Sequence, residues 1–160
     1  MISRQSTIFQ GCACFMSGLS GEVRVGRSLE LHVLPGRMAI CRLGTEEEAP
    51  LWAHSGVLSS VTRTEAETTV ICREEKVPAG ITCSKRWYCL RIGGVLDFSE
   101  TGILSTLTAP LAGEGIPVYA LSTYSTDLIL IKDKDLSRAV RVLSGAGHRV
   151  FSENGQERLP

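Results

Sequence analysis

The chain has 160 residues, with 17 Lys and Arg balanced by 17 Asp and Glu and 43% hydrophobic residues, enough for one compact core or two very small subdomains. A formal net charge of zero gives no long-range field to gather polyanions, which argues against a nucleic-acid binder or a membrane-surface protein. Apolar runs such as 116–121 and 128–131 fall far short of the ~20 residues that cross a bilayer.

Residues 1–28 carry Arg4, Arg24 and Arg27, one acid at Glu22, and the short apolar cluster Cys12 to Met16. That cluster is too short for a signal-peptide core; of the two readings left, a transit peptide and a disordered leader, the leader is expected. Six cysteines (Cys12, Cys14, Cys41, Cys72, Cys83 and Cys89) read as reduced thiols, because a chain of this apolar content needs no staples and shows no secretion signal. The lone Cys12-x-Cys14 has no second pair at a zinc-site spacing, so neither a metal nor a cofactor is expected.

From Leu29 to Leu43 two apolar runs flank Pro35-Gly36, a pair suited to reversing or sharply bending the chain between two strands. A turn of helix around Pro50 to Ala53 precedes two β-rich runs, Val57 to Thr64 and Thr68 to Arg73. The second half is clearer. Trp87 to Ile92 reads as a strand and Thr101 to Ala112 as a helix with Ile103, Leu104, Leu107 and Leu111 on one face. Pro110 cannot donate to the Thr106 carbonyl and should loosen the last turn. Pro117 to Ser122 and Asp127 to Lys132 are further strands, and Asp133 to Gly145 is a helix capped by Asp133, with Leu136, Ala139, Val140 and Leu143 inward. His148 to Phe151 is a last edge strand and Ser152 to Pro160 a frayed tail.

Strand, helix, strand, strand, helix, strand over 87–151 is the split βαβ pattern of a ferredoxin-like α/β sandwich. An offset of 60 aligns Val61, Thr62, Glu67, Val70, Ile71 and Glu75 with Leu121, Ser122, Asp127, Leu130, Ile131 and Asp135, which predicts a second copy of the plan. Little room for a first helix between Leu43 and Val57 makes the earlier copy the abbreviated one.

The stretch from Gly94 to His148, with D-F-S-x-T-G at Asp97 to Gly102 and S-T-Y-x-T-D at Ser122 to Asp127, resembles the carboxy-terminal half of small tandem ACT-domain proteins related to the cytosolic arginine sensors of the TOR pathway. Segments 29–43 and 60–81 resemble the amino-terminal half. The resemblance implies an α+β fold of tandem ACT-like βαββαβ sandwiches, the first abbreviated: an ACT-like subdomain over 29–80 and an ACT domain over 87–151; a disordered leader over 1–28 and a flexible tail over 152–160 have no counterpart in it. It implies a cytoplasmic, non-catalytic regulatory protein that binds a small molecule, an amino acid above all, and pairs as a homodimer or with a regulatory partner, with no nucleic acid or membrane.

An amino acid presents a carboxylate and an ammonium, and the sequence offers partners for both. Thr101, Gly102 and Ile103 lie where a loop meets a helix N-terminus, with unpaired N–H groups and a positive dipole end. Ser99 belongs to the same loop. Asp127, with Thr123 and Tyr124, supplies a carboxylate, a hydroxyl and an aromatic wall, and in the resemblance the matching aspartate and threonine contribute to the ligand site. Each residue also has a structural reading: Ser99 or Thr101 as an N-cap, Gly102 as a turn residue, Glu100 as a first-turn charge, Asp127 and Ser125 as closers of a turn. Catalysis is not expected, since the chain has no G-x-S-x-G, P-loop or HExxH. The rival to a sensor is an interaction module that dimerises through its sheets without a ligand.

Overall fold

The structure is a computed structural model that describes residues 27–45 and 48–156. Among the described residues eight strands form one sheet: β1 (Glu30–Val33), β2 (Met38–Leu43), β3 (Ser60–Arg63), β4 (Thr68–Arg73), β5 (Cys83–Ile92), β6 (Val118–Ser122), β7 (Asp127–Lys132) and β8 (Arg149–Phe151). Two α-helices, α1 (Ile103–Gly113) and α2 (Leu136–Gly145), join β5 to β6 and β7 to β8. The leader expected over 1–28 falls outside the described residues except at Arg27 and Ser28, where the Ser28 hydroxyl donates to the Gly147 carbonyl at 2.6 Å.

β5 is the axis of the sheet. Its ten residues pair with β7 along one edge and with both β1 and β2 along the other. Pro35-Gly36 therefore bends the chain without reversing it: β1 and β2 run the same way along β5, antiparallel to it, and Leu34 N donates to Cys89 O at 2.8 Å across the gap. Gly36 takes a φ of 72°, and a Cβ there would meet the Arg73 guanidinium, which donates to the Pro35 carbonyl. A second irregularity lies opposite, where Lys85 and Arg86 together face Ala39 and Arg86 has a φ of 63°. This β-bulge re-aims the side chains of β5. Two carboxylates hold it, Glu74 accepting from Arg86 N at 2.7 Å and Asp133 from the guanidinium at 2.7 Å.

Strand alternation sorts the apolar residues into three cores. Leu31, Val33, Leu90, Ile92, Ile129 and Ile131 meet Leu107, Leu111, Ala139, Val140 and Leu143 of the helices. Side chains of opposite parity on β5 and β7, Cys89, Leu128 and Leu130, join Met38 and Ile71 in a second cluster. Ala39, Cys41, Val70 and Cys72 form the third beneath a short 3₁₀ turn, Leu51–His54. The helix stripes expected from the sequence are where the first core sits.

A ferredoxin-like sheet would set β8 beside β5. Here β1 lies between them, parallel to β8 and antiparallel to β5, so a strand from the first half completes the sheet of the second. Leu31 is fully buried and Val33 nearly so, each stabilising the fold by about 1.5–3 kcal/mol through burial.

The hairpins β3–β4 and β6–β7 share one plan, at an offset of 59 and not 60. Arg63 pairs with Thr68 and Ser122 with Asp127. Both turns are closed in the same way: Thr64 N and Oγ1 donate to Glu67 O, and Thr123 N and Oγ1 donate to Thr126 O. β4 and β7 are buried on both faces, so their apolar runs carry no alternation to set the register, and an alignment by apolar type alone misses by one.

α1 begins at Ile103, two residues later than its pattern predicts, and runs through Pro110 to Gly113. Its last turn is not loosened, because the carbonyl that Pro110 leaves free is satisfied from outside: His148 Nε2 lies 3.2 Å from Thr106 O, and its Nδ1 accepts from Leu29 N at 3.3 Å. These partners fix the imidazole with its proton on Nε2. Asp133 does not cap α2. It opens a 3₁₀ turn, Asp133–Asp135, and its carboxylate serves Arg86, while Asp135 stands at the N-cap without a side-chain cap bond. Nor does the tail fray at once: Ser152 N donates to Gln156 O at 2.7 Å, and Glu153 accepts from Gly36 N at 3.1 Å.

Candidate functional site

The loop between β5 and α1 and the turn between β6 and β7 meet at one end of the sheet. Leu96 N donates to Ser125 O at 2.9 Å, and the Thr126 hydroxyl donates to Ile92 O at 2.9 Å. Between them opens a cavity of ≈ 220 Å³ lined by Asp97, Phe98, Glu100 and Ile103 on one side and by residues 122–127 on the other. That volume lies below the roughly 300–1,000 Å³ of pockets that enclose drug-sized ligands.

Of the residues singled out from the sequence, Ile103, Thr123, Tyr124 and Asp127 line this cavity, while Ser99, Thr101 and Gly102 do not. Ser99 serves the loop: its N–H and its hydroxyl both donate to Asp97 Oδ1, at 2.9 and 2.6 Å. Those two bonds, the hydroxyl first, hold the Asp97 carboxyl below its usual range, so Asp97 faces the cavity ionised at neutral pH. Neither Ser99 nor Thr101 caps α1. Gly102 occupies the N-cap with a left-handed φ of 81°, a conformation that glycine adopts without a Cβ penalty. The first-turn N–H groups of α1, Ile103 among them, have no intrahelical acceptor by position.

Asp127 accepts from the Ser122 hydroxyl at 2.6 Å. Its second carboxylate oxygen has no hydrogen-bond partner among the described residues. Glu100 accepts from Asp97 N at 3.2 Å and pairs with Arg27 at 3.2 Å, a contact that brings residue 27 to the rim. Thr123 is engaged in the turn through its hydroxyl. Tyr124 stands edge-on to Phe98, ring centroids 5.2 Å apart at 83°, and both rings are largely exposed with Val95 beside them.

The cavity thus pairs three carboxylates, Asp97, Glu100 and Asp127, with a helix N-terminus. The sequence points to a cleft between the Asp97 to Ile103 loop and the Ser122 to Asp127 segment without singling out Asp97, Glu100 or Ser122 as ligand contacts; the signal for Asp97 is the Asp-x-Ser spacing of an Asx turn. Among the described residues no group of His, Cys, Asp and Glu side chains is placed to hold a metal ion, and no helix is long and apolar enough to cross a membrane.

The family profile of the ACT domain matches residues 82–145, and an N-terminal-domain profile of a second family matches 36–80. The cytosolic arginine sensor for mTORC1 subunit 1 of Rattus norvegicus is 27% identical over 156 residues, covering 82% of this chain and 46% of the relative; the chain spans about half the length of that protein. A crystal structure of a protein from Agrobacterium tumefaciens is 30% identical with a TM-score of 0.77, covering 84% of this chain and all of that one. The aspartokinase alpha and beta subunits share the fold, with a TM-score of 0.53 at 14% identity over 75% of this chain and 98% of that one. Sheet, helices and comparisons agree that residues 82–145 form an ACT domain, in a chain that is similar to the cytosolic arginine sensors.

Proposed function

We propose that this chain is a non-catalytic regulatory module that binds an amino acid in the cavity between the β5–α1 loop and the β6–β7 turn. The observation that carries the reading is the meeting, in one cavity of ≈ 220 Å³, of Asp127 with the N-terminal turn of α1. A free carboxylate oxygen on Asp127 accepts the ligand ammonium, with the Thr123 and Tyr124 turn as a wall. The N–H groups at Ile103, favoured by the helix dipole, take the α-carboxylate. Ser99 and Gly102 support the site, Ser99 by setting Asp97 and Gly102 by starting the helix. Lining of the cavity by carboxylates favours a ligand with net positive charge, and the name of the rat relative, an arginine sensor, makes arginine the first amino acid to try.

The division of labour follows the tandem plan, residues 29–80 as the abbreviated ACT-like unit and 87–151 as the complete one, with β1 exchanged into the latter. Placement in the cytoplasm and pairing as a homodimer or with a regulatory protein belong to the same proposal. A thermal-shift screen of the full chain with each proteinogenic amino acid, backed by size measurement with and without any hit, tests it. Stabilisation by one amino acid or a chemically related few supports the sensor reading. If none stabilises the protein at millimolar concentration, the sensor reading fails.

One observation favours a second reading. Val95, Phe98 and Tyr124 are 77%, 77% and 83% exposed and form an apolar rim, which fits a docking module that needs no ligand. Dimerisation unchanged across the whole screen, and lost on Phe98→Ser with Tyr124→Ser, would establish it instead.

A further inference from the structure

We propose that Cys41 and Cys83 form a reversible cross-strand disulfide when the protein meets a peroxide, locking β2 to the start of β5. The two residues are direct partners in the antiparallel pairing of these strands. Next to them Arg42 N donates to Thr82 O at 2.9 Å, so Arg42 and Thr82 are the hydrogen-bonded pair and Cys41 and Cys83 the non-bonded one. At such a position opposing Cα atoms stand about 4.5 Å apart with their side chains close, inside the range of about 4.4–6.8 Å that a disulfide spans. Both are free thiols.

Access differs between them. Cys41 and Cys72 are buried, whereas Cys83 is partly exposed; Cys41 and Cys83 both border an open groove of ≈ 420 Å³ with Ser84 and Tyr119, and Cys83 is the more accessible of the two. Burial, reinforced by Cys72 and Cys83 alongside, pushes the Cys41 thiol up to about 12, which makes it a poor first nucleophile. Cys89, also buried and pushed up to about 12 by burial, lies in a different cluster beyond the Arg86 bulge and does not compete. The order of events follows. The Cys83 thiolate attacks one peroxide oxygen; an S–O bond forms, the O–O bond breaks, and hydroxide leaves to become water with the proton that the thiol released. Cys41 gives up its proton as its sulfur attacks Cys83; the S–S bond forms, the S–O bond breaks, and a second water departs. Two thiols lose two protons and two electrons, and one hydrogen peroxide becomes two waters.

The test is graded hydrogen peroxide on the full chain, followed by denaturing alkylation, intact mass and peptide mapping. The expected product lacks two hydrogens, maps to Cys41 joined to Cys83, reverts with dithiothreitol and melts at a higher temperature than the reduced protein. Cys83→Ser should abolish the bridge and Cys89→Ser should leave it. Cys41→Ser should leave Cys83 as a sulfenic acid that dimedone traps, and Cys41→Ala gives the same readout if the serine variant fails to fold. Bridges that map to other cysteines, or Cys83 oxidised to the sulfinic acid while Cys41 stays alkylatable, overturn the proposal.

Discussion

Asp127→Asn is the sharpest perturbation of the cavity. The amide keeps an oxygen where Ser122 Oγ now donates at 2.6 Å, so the β6–β7 turn retains its bond while the charge is gone. A hydrogen bond to a charged group contributes about 1.5–3 kcal/mol and a neutral one about 0.5–1.5 kcal/mol, so the substitution should weaken amino-acid binding by roughly 1–2 kcal/mol. At about 1.4 kcal/mol per factor of ten, that is roughly a 5- to 30-fold rise in Kd by calorimetry. Asp127 is only partly buried, and the unfolding free energy in urea should stay within about 0.5 kcal/mol of wild type. Asp127→Ala also removes the Ser122 acceptor and should abolish measurable binding while the domain stays folded. Unchanged affinity in Asp127→Asn refutes the ammonium contact, and parallel loss of fold and binding assigns Asp127 to the turn alone.

His148→Ala strands two buried groups, Thr106 O and Leu29 N, and should cost about 2–4 kcal/mol in denaturant unfolding; a loss under about 0.5 kcal/mol would mean that Pro110 needs no outside donor. Gly102→Ala meets only Ser105 Oγ, at 3.6 Å, so its expected cost of about 1–2 kcal/mol is backbone strain at a left-handed φ, and a neutral result would contradict that conformation. Ser99→Ala removes the larger of the two bonds that depress Asp97, and its carboxyl pKa, followed by NMR titration, should rise toward the ordinary value. The folded-state pKa of Asp97 lies below its unfolded value, so its contribution to stability is present above the unfolded pKa and fades as pH falls through the folded one; Ser99→Ala should shrink that acid-side loss.

Much of the second half was legible because local chemistry and tertiary packing agree there. Asp127 to Lys132 reads as a strand and is one, and the stripe Leu136, Ala139, Val140 and Leu143 faces the core as its spacing requires. Failures fall where a distant partner decides. Nothing local tells that β1 enters between β5 and β8, or that His148 compensates for Pro110 by bonding Thr106 O from 42 positions away. Ser99 and Thr101 have the composition of N-caps, but Asp97 claims Ser99 and the helix starts from a left-handed glycine. The cavity was half legible for the same reason: Asp127 and Ile103 stand out by type and position, whereas Asp97 and Ser122 acquire their place only when the loop and the turn are hydrogen-bonded together.

The most direct test of the account is an amide NMR titration of the full chain with each proteinogenic amino acid, arginine first. The account predicts saturable shifts for one amino acid, concentrated in residues 96–103 and 122–127. Absence of saturable shifts with every one of them at millimolar concentration, or shifts centred on another part of the sheet, would contradict it.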